Sequence, residues 1–396
     1  MIRKLRNYDF TLMITPILLS GFGIVMIYSA SMVTAVVAGL DSTFFMVRQL
    51  QWFILGFIAF VICSLFPYKN YQKLIKPIIL LCVALLVAVL LFGKSAHNAT
   101  RAINITSSIS IQPAEFVKLG LILYLASVYS KKQSYINDFS KGVLPPLILT
   151  AFILGLIILQ PDIGTSVIIL MIACSIIFSS GIRLKHLLLL ISIGLIILAI
   201  AIPSMVTEVR IERFTGAYQP FTDPEDSGYH LIQSYVAIGV GGLTGEGLGQ
   251  SVQKLGYLWG AYTDFIMAII AEELGFIGVL IVIGLLVLIV LRGMFIARKC
   301  KDSFGALLAI GISSMVGIQA LINLGSTSGL LPITGVPLPF VSYGGSSLLV
   351  LMAAMGILNN IAMVVKKEQG DSATIDSEEH SKAREYQFQA RKTWSN

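Results

Sequence analysis

Asp264 in "YTDF", Glu115 and Lys118 in "IQPAEFVKL", and Asp162 in "QPDIGTS" all stand where long apolar runs begin. An ionised side chain inside or at the edge of a bilayer-spanning helix is costly unless paired or hydrated, so these residues carry the first functional signal. Pro113 suits the first turn of a helix, Glu115 lies within that turn, and Lys118 follows three residues later on the same face. Any one of these acids is accounted for by capping, because a carboxylate at a helix start binds free amides and meets the positive end of the dipole. Three carboxylates near one depth, with Lys118 and Arg101 on the same side, point instead to a polar vestibule. There, cations can hold a phosphate while a carboxylate accepts a proton from an attacking hydroxyl. No Ser-His-Asp order and no Cys with a nearby His suggests a covalent acyl mechanism, and the four histidines are scattered rather than clustered for metal.

The elements that must position these groups are membrane helices. The chain has 396 residues, 56% hydrophobic and only 12% charged, with a mean hydropathy of +0.85; a soluble domain carries about 25% charge. Runs able to span a bilayer fall at about 11–33, 49–66, 75–92, 114–130, 145–159, 164–181, 187–203, 264–291, 304–325 and 344–365, an all-α polytopic protein of about ten spans. Lys and Arg alternate cleanly between connecting segments: Arg3, Lys4, Arg6, Lys69, Lys73, Lys76, Lys131, Lys132, Lys141, Arg183, Lys185, Arg292, Arg298, Lys299 and Lys301 fall in one set. The positive-inside rule makes that set cytoplasmic, together with both termini. The net charge of +7 therefore records topology rather than nucleic-acid binding, for which no recognition module is present. Helices beginning at Glu115, Asp162 and Asp264 all start on the outer side.

One long external loop, 204–263, is mildly acidic. Within it "GYHLIQSYVAIG" has helical apolar spacing, as for a short amphipathic helix on the membrane surface. The glycine-rich run "GVGGLTGEGLG" then offers amides for a diphosphate, but no strand precedes it, and a tight connection is the plainer reading. A second, uncharged external loop, 326–343, with Pro332, Pro337 and Pro339, must be buried in protein or line a wet cavity if it dips to membrane depth. Cys63, Cys82 and Cys174 lie in spans and Cys300 in a cytoplasmic loop, so neither a disulfide framework nor a metal quartet is expected. Residues 1–365 form the transmembrane domain, and the polar segment 366–396 reads as a disordered cytoplasmic tail. The run 264–291 also holds Glu272 and Glu273. Taken as one straight helix from Arg292, Glu273 is about 28 Å up and Asp264 about 42 Å, so Asp264 lies at the mouth and Glu272 lower in the vestibule. At 100° per residue the three acids face differently, and Glu273 is expected to be structural. These features leave two classes open: a transferase using a lipid-linked substrate, or a transporter with its polar site between helices.

"YTDFIMAIIAEELGFIG", "LPITGVPLPFVSYGGSSLL", "IQPAEFVKL", "QPDIGTS" and "GYHLIQSYVAIGVGGLTGEGLGQSVQKLGYL" together resemble the SEDS family of shape, elongation, division and sporulation proteins. The resemblance covers nearly the whole chain except the tail. It implies a ten-helix fold and a peptidoglycan glycosyltransferase that polymerises lipid II into glycan strands outside the bacterial plasma membrane. It also implies a class B penicillin-binding protein as the crosslinking partner, among other membrane proteins of the division or elongation machinery. The family's essential acid falls on Asp264, its Gln-Pro-x-Glu-x-x-Lys motif on Gln112, Pro113, Glu115 and Lys118, and its Gln-Pro-Asp motif on Asp162. Two departures stand out: "LWGAYTDF" lacks the family's common Pro-Glu and His before Thr-Asp, and Arg101 is followed by Ala102 instead of Trp.

On this resemblance Asp264 is expected to be the general base. Lys118 and Arg101 are the first candidates for holding the diphosphate, with Arg210, Arg213 and Lys254 behind them. Glu115 orients Lys118, Asp162 and Glu272 line the vestibule, and a divalent cation such as Mg or Mn could share the charge without a dedicated cage. The alternatives are a lipid II flippase using the same polar path, and a non-enzymatic scaffold of the division or elongation machinery. The likeness of residues 250–350 leans toward the division type.

Overall fold

The apolar runs fold as helices close to the predicted spans. The computed structural model describes residues 8–93, 102–106, 109–133, 138–182, 215–226 and 228–393, with 185, 188 and 192 placed singly, and the side chains of the last helix as far as residue 369. In chain order the helices are α1 (Phe10–Val37), α2 (Phe44–Leu65), α3 (Tyr68–Phe92), α4 (Pro113–Lys131), α5 (Leu144–Ile158), α6 (Ile163–Ser179), α7 (Tyr229–Gly241), α8 (Ile266–Lys299), α9 (Ser303–Thr327) and α10 (Gly345–Thr393). A small antiparallel hairpin, β1 (Ile103–Thr106) and β2 (Ile109–Ile111), precedes α4 with Ile103 opposite Ile111. By length and composition α1, α2, α3, α8, α9 and the Gly345–Gln369 part of α10 can cross a membrane, and α5 and α6 are shorter apolar helices. The described residues thus form a nearly all-helical, polytopic bundle. The expected span 187–203, apart from residues 188 and 192, and the cations Arg101, Arg210 and Arg213 lie outside the described residues.

Burial separates the centre of the bundle from its rim. α9 and the start of α10 are the most buried of the long helices, whereas α2 and α3 leave most of their apolar surface outward, as a lipid-facing helix does. α9 packs against α4, α6 and α8, and α10 packs along α2. Small residues permit this closeness: a Cβ on Gly293 of α8 would stand only 2.0 Å from Ser313 Oγ of α9. At one end of the bundle Asp9 caps α1 through the amides of Thr11 and Leu12, at 3.1 and 3.3 Å. It also pairs with Arg292 of α8 at 2.7 Å, and its own amide donates to Asn359 of α10 at 3.0 Å. Three helices are therefore tied at that end, opposite the end where α4, α6 and α8 begin.

Two features depart from the sequence reading. α8 is not one straight rod: Gly275 has φ 65° and ψ −165°, a conformation natural only to glycine, so the helix is broken after Glu273. The straight-helix depths of Asp264 and Glu273 therefore do not apply. α10 also continues without interruption through the segment expected to be a disordered tail, as far as Thr393. That segment is rich in Ala, Glu, Gln, Lys and Arg, which favour helix even without an apolar face.

Candidate active site

The starts of α4 and α6 and the loop between α9 and α10 enclose a polar cavity. It is lined by Gln112, Glu115 and Lys118 of the α4 entry, by Asp162, Thr165 and Ile168 of the α6 entry, and by Thr334, Gly335, Val336 and Pro337. Its volume, including the part open to solvent, is about 290 Å³. Lys118 Nζ stands 2.8 Å from Glu115 Oε2, with both side chains almost wholly buried. Glu115 thus orients Lys118, as the i, i+3 spacing predicts. Asp162 caps α6, accepting from the Thr165 amide at 3.2 Å and from its hydroxyl at 2.9 Å, and so it both caps the helix and lines the cavity. The uncharged loop does fold inward: Gln49 of α2 donates to the Ser342 carbonyl and accepts from the Gly344 amide, each at 3.3 Å.

A row of polar residues on α9 joins this cavity to Asp264. Gln319 accepts from Lys118 Nζ at 3.1 Å, and its amide nitrogen donates to the Pro337 carbonyl at 3.1 Å. One turn further on, the Asn323 amide nitrogen donates at 2.7 Å both to the Val336 carbonyl and to the Asp264 carbonyl. Asp264 itself is not a cap, because the N-cap residue of α8 is Phe265 and makes no side-chain bond. It ends a tight turn in which the Thr263 and Phe265 amides both donate to the Gly260 carbonyl, and Thr263 Oγ1 donates to Asp264 Oδ1 at 2.7 Å. Aromatic packing pins the turn to α2 and to the inward loop: Phe45 and Tyr343 lie 4.6 and 5.7 Å from Tyr262 between ring centroids, and the Tyr343 amide donates to the Tyr262 carbonyl at 3.0 Å. The backbone of the Asp264 turn is one hydrogen-bonded residue, Asn323, away from the cavity wall.

Lys254 and Glu272, expected in the vestibule, are spent elsewhere. Lys254 Nζ is buried, 2.7 Å from Glu273 and 2.9 Å from the Ser29 hydroxyl of α1; that hydroxyl in turn donates to both Glu273 oxygens, at 2.6 and 2.9 Å. Glu272 accepts from the Ser251 hydroxyl, from the Val252 amide at 2.8 Å and from the Gln253 amide at 3.4 Å. Together these two acids lock the 251–254 turn onto the upper half of α8. Glu273 is structural, as expected, but through its pairing with Lys254 and Ser29 rather than through a facing angle measured from Asp264, which lies outside α8.

The glycine run is engaged in the same lock. Where α8 breaks, the Glu246 and Gly247 amides donate to the Glu272 and Glu273 carbonyls at 2.9 and 3.0 Å, and the Phe276 and Ile277 amides donate to Gly242 and Leu243 at 2.9 and 3.2 Å. The loop therefore supplies the hydrogen bonds the broken helix has lost, and those amides serve the connection rather than a diphosphate. α7, the short helix expected on the membrane surface, buries Leu231, Ser234, Ala237 and Gly241 along one face and packs against α8. The sequence reading missed Gln319, Asn323 and His230. Gln319, Asn323 and Thr327 do carry a legible signal, since they recur every four residues in an apolar helix and share one face. Among the described residues no three His, Cys, Asp or Glu side chains gather as a metal site.

A buried ion pair, a capping acid and a carboxylate turn, gathered at one end of a membrane bundle, define a polytopic protein with a polar reaction chamber. Residues 10–367 match the family of FtsW, RodA and SpoVE, described as cell cycle protein, and the chain belongs to that family. It is 52% identical over 374 residues to a Bacillus subtilis protein named probable peptidoglycan glycosyltransferase FtsW, covering 92% of this chain and 93% of that one. It is 41% identical to stage V sporulation protein E of Bacillus subtilis, covering 91% and 99%. Among solved structures, a chain described as structural coordination of polymerization and crosslinking by a peptidoglycan synthase complex matches with a TM-score of 0.74 and 27% identity, over 90% of this chain and 98% of that one. The Thermus thermophilus rod shape determining protein RodA matches with a TM-score of 0.66 and 27% identity, over 90% and 96%.

Proposed function

We propose that this protein is a peptidoglycan glycosyltransferase of the division type, polymerising lipid II at the outer face of the bacterial plasma membrane with Asp264 as general base. The observation that carries the reading is the joining of two sites by Asn323: a buried Glu115–Lys118 cavity on one side and the Asp264 turn on the other. The 52% identity to a protein named for this activity supports it, as does the greater distance from the sporulation relative. Ten spans with both termini inside, from the distribution of Lys and Arg, would set this end of the bundle toward the outside.

In the reaction, the Asp264 carboxylate takes the proton of the GlcNAc 4-hydroxyl of an incoming lipid II. The freed electron pair attacks the anomeric carbon of the growing chain as the bond to undecaprenyl diphosphate breaks, converting an α-linked donor to a β-1,4 bond. The diphosphate gains negative charge as it leaves, and Lys118, which lines the cavity, is the proposed cation to meet it. Arg101 remains the second candidate from the sequence. A divalent cation sharing this task would find hard oxygen donors in Asp264 and the diphosphate itself. A class B penicillin-binding protein is the proposed partner, in keeping with a relative solved within a peptidoglycan synthase complex.

Purified full-length protein given lipid II, with and without that transpeptidase, tests the reading. Glycan polymer is expected from the parent and a loss of about 10²-fold or more from Asp264→Asn. Parent-rate polymerisation by Asp264→Asn would refute the base assignment, and vectorial transfer of labelled lipid II in liposomes without polymer would identify a flippase instead. A tagged protein found along the side wall rather than at the septum would overturn the division role.

A further inference from the structure

α7 and the glycine run after it follow α8 down from its outer end and then turn back. At the start of α7 the His230 ring packs on Phe265, with centroids 6.5 Å apart, and Ser234 donates to the Thr327 carbonyl at the end of α9 at 2.8 Å. Further down, Gly241 lies so close to α8 that a Cβ there would strike the Ala271 carbonyl. Gly242 and Leu243 then accept from the Phe276 and Ile277 amides, below the break at Gly275. From there the chain climbs again, because the Glu246 and Gly247 amides donate to Glu272 and Glu273 above the break. Leu243 is therefore the tip of a descending and returning segment. On the unbroken part of α8, Ile277 stands about 22 Å from Arg292 at 1.5 Å per residue, within a hydrocarbon core of roughly 30 Å.

The outer face of this segment is as apolar as the adjoining side of α8. Residues 231–245, "LIQSYVAIGVGGLTG", contain no charged side chain. Leu231, Ser234, Ala237 and Gly241 turn inward, while Val236, Val240 and Leu243 follow at helical spacing and stay exposed, Leu243 by 73%. Phe276, Ile277, Leu280 and Ile281 of α8 are exposed too, and the bond from Ile277 to Leu243 joins the two sets into one apolar surface. A helix lying in the interface keeps a strongly polar outer face, which α7 does not have. Irregular backbone is tolerated at membrane depth only where protein meets its polar groups. The hydrogen bonds exchanged with the broken α8 do that for the turn at 242–247.

We propose that residues 229–247 form a re-entrant element whose tip, Leu243, contacts the acyl chains of the outer leaflet. Lipid is the occupant because the face continues the outward side of a membrane-spanning helix and has no charged side chain to specify a protein. Immersion removes the Val236, Val240 and Leu243 side chains from water. It also seats the lock from which the chain runs on through the 251–254 turn to Asp264. The inference rests on α8 spanning the bilayer and is independent of the role of Asp264.

The test is fluorescence quenching of the full-length protein in vesicles of phosphatidylethanolamine and phosphatidylglycerol. Leu243→Trp adds a tryptophan at the tip, and Val240→Trp adds one a turn higher on the same face. Each signal is read as the difference from the parent, which carries Trp52, Trp259 and Trp394. Lipids brominated at the middle of their acyl chains are expected to lower the added emission at 243 by about twofold or more, and aqueous iodide is expected to leave it unchanged. Quenching by iodide and not by brominated chains would put the tip in water and overturn the proposal. Protection from both would place protein over the tip, which in these vesicles is a second copy, and would overturn it equally. If Leu243→Trp fails to reach the parent's melting temperature, Val240→Trp decides by the same readings.

Discussion

Lys254→Met removes one half of an ion pair whose side chains are 1% and 0% exposed. Glu273 would keep the Ser29 hydroxyl at 2.6 Å but lose the positive charge at 2.7 Å, leaving a carboxylate in a site shielded from water. Breaking such a pair from one side costs about 3–5 kcal/mol. Replacing both partners, Lys254→Met with Glu273→Leu, removes the buried charge altogether and is expected to be neutral or stabilising by about 1–4 kcal/mol. The double-mutant cycle should therefore show a coupling of at least about 6 kcal/mol, the sum of the two single losses. Unfolding of the purified protein in detergent measures the stability of all four forms, and lipid II polymerisation measures their activity. Both single variants should lose stability and activity together, and the double variant should recover both. A stable but inactive Lys254→Met, with no recovery in the double variant, would refute the reasoning and return Lys254 to the substrate.

Three further outcomes follow from the same geometry. Asn323→Ala deletes two bonds of 2.7 Å, to the Val336 and Asp264 carbonyls, and leaves the Asp264 carbonyl only the long 3.5 Å bond from Thr327 Oγ1; at about 1 kcal/mol per bond it should lower kcat by roughly tenfold or more through a loosened Asp264 turn, with lipid II KM less affected. Gly245→Ala should destabilise the protein, because Gly245 has φ 78° and a Cβ there would lie 2.2 Å from the Glu273 carbonyl oxygen; a melting temperature equal to the parent's would count against the lock. Because burial lowers the His230 imidazole, the unfolded chain binds its proton more readily. Stability should be full above pH 6.5 and decline as pH falls through the lowered value, and melting curves at pH 5.5 and 7.5 should show a smaller decline in His230→Gln.

Much of the bundle was legible because a bilayer helix must be long, apolar and self-bonded, and that demand leaves a run of the right length in the chain. The Glu115–Lys118 pair was equally legible, since three residues along a helix bring two side chains together before any tertiary contact forms. The inward course of the uncharged proline loop could be argued from the cost of bare backbone at membrane depth. The break at Gly275 was not, because a lone glycine in an apolar run is usually tolerated as helix. Its kink depends on Glu246 and Gly247, which reach back from the preceding loop. His230 was passed over for a similar reason: nothing near it in sequence marks it, and only the packing of α7 on α8 brings its ring beside Phe265.

By itself the sequence determined that the chain is a membrane protein, where its helices lie, and that acids and a lysine gather where three of them begin. Those conclusions rest on local periodicity and on the price of charge in lipid. Only the tertiary structure decided which charges line the cavity and which are paired away from it. Lys254 and Lys118 are both buried and ion-paired, yet one pairs with Glu273 in a lock away from the cavity and the other pairs with Glu115 on the cavity wall. Asp264 and Glu272 are both acids of one segment, yet one ends a rigid turn and the other is consumed by neighbouring amides. The difference is set by partners far apart in the chain, such as Ser29 and Asn323, and pairing over such distances is decided by how whole helices pack.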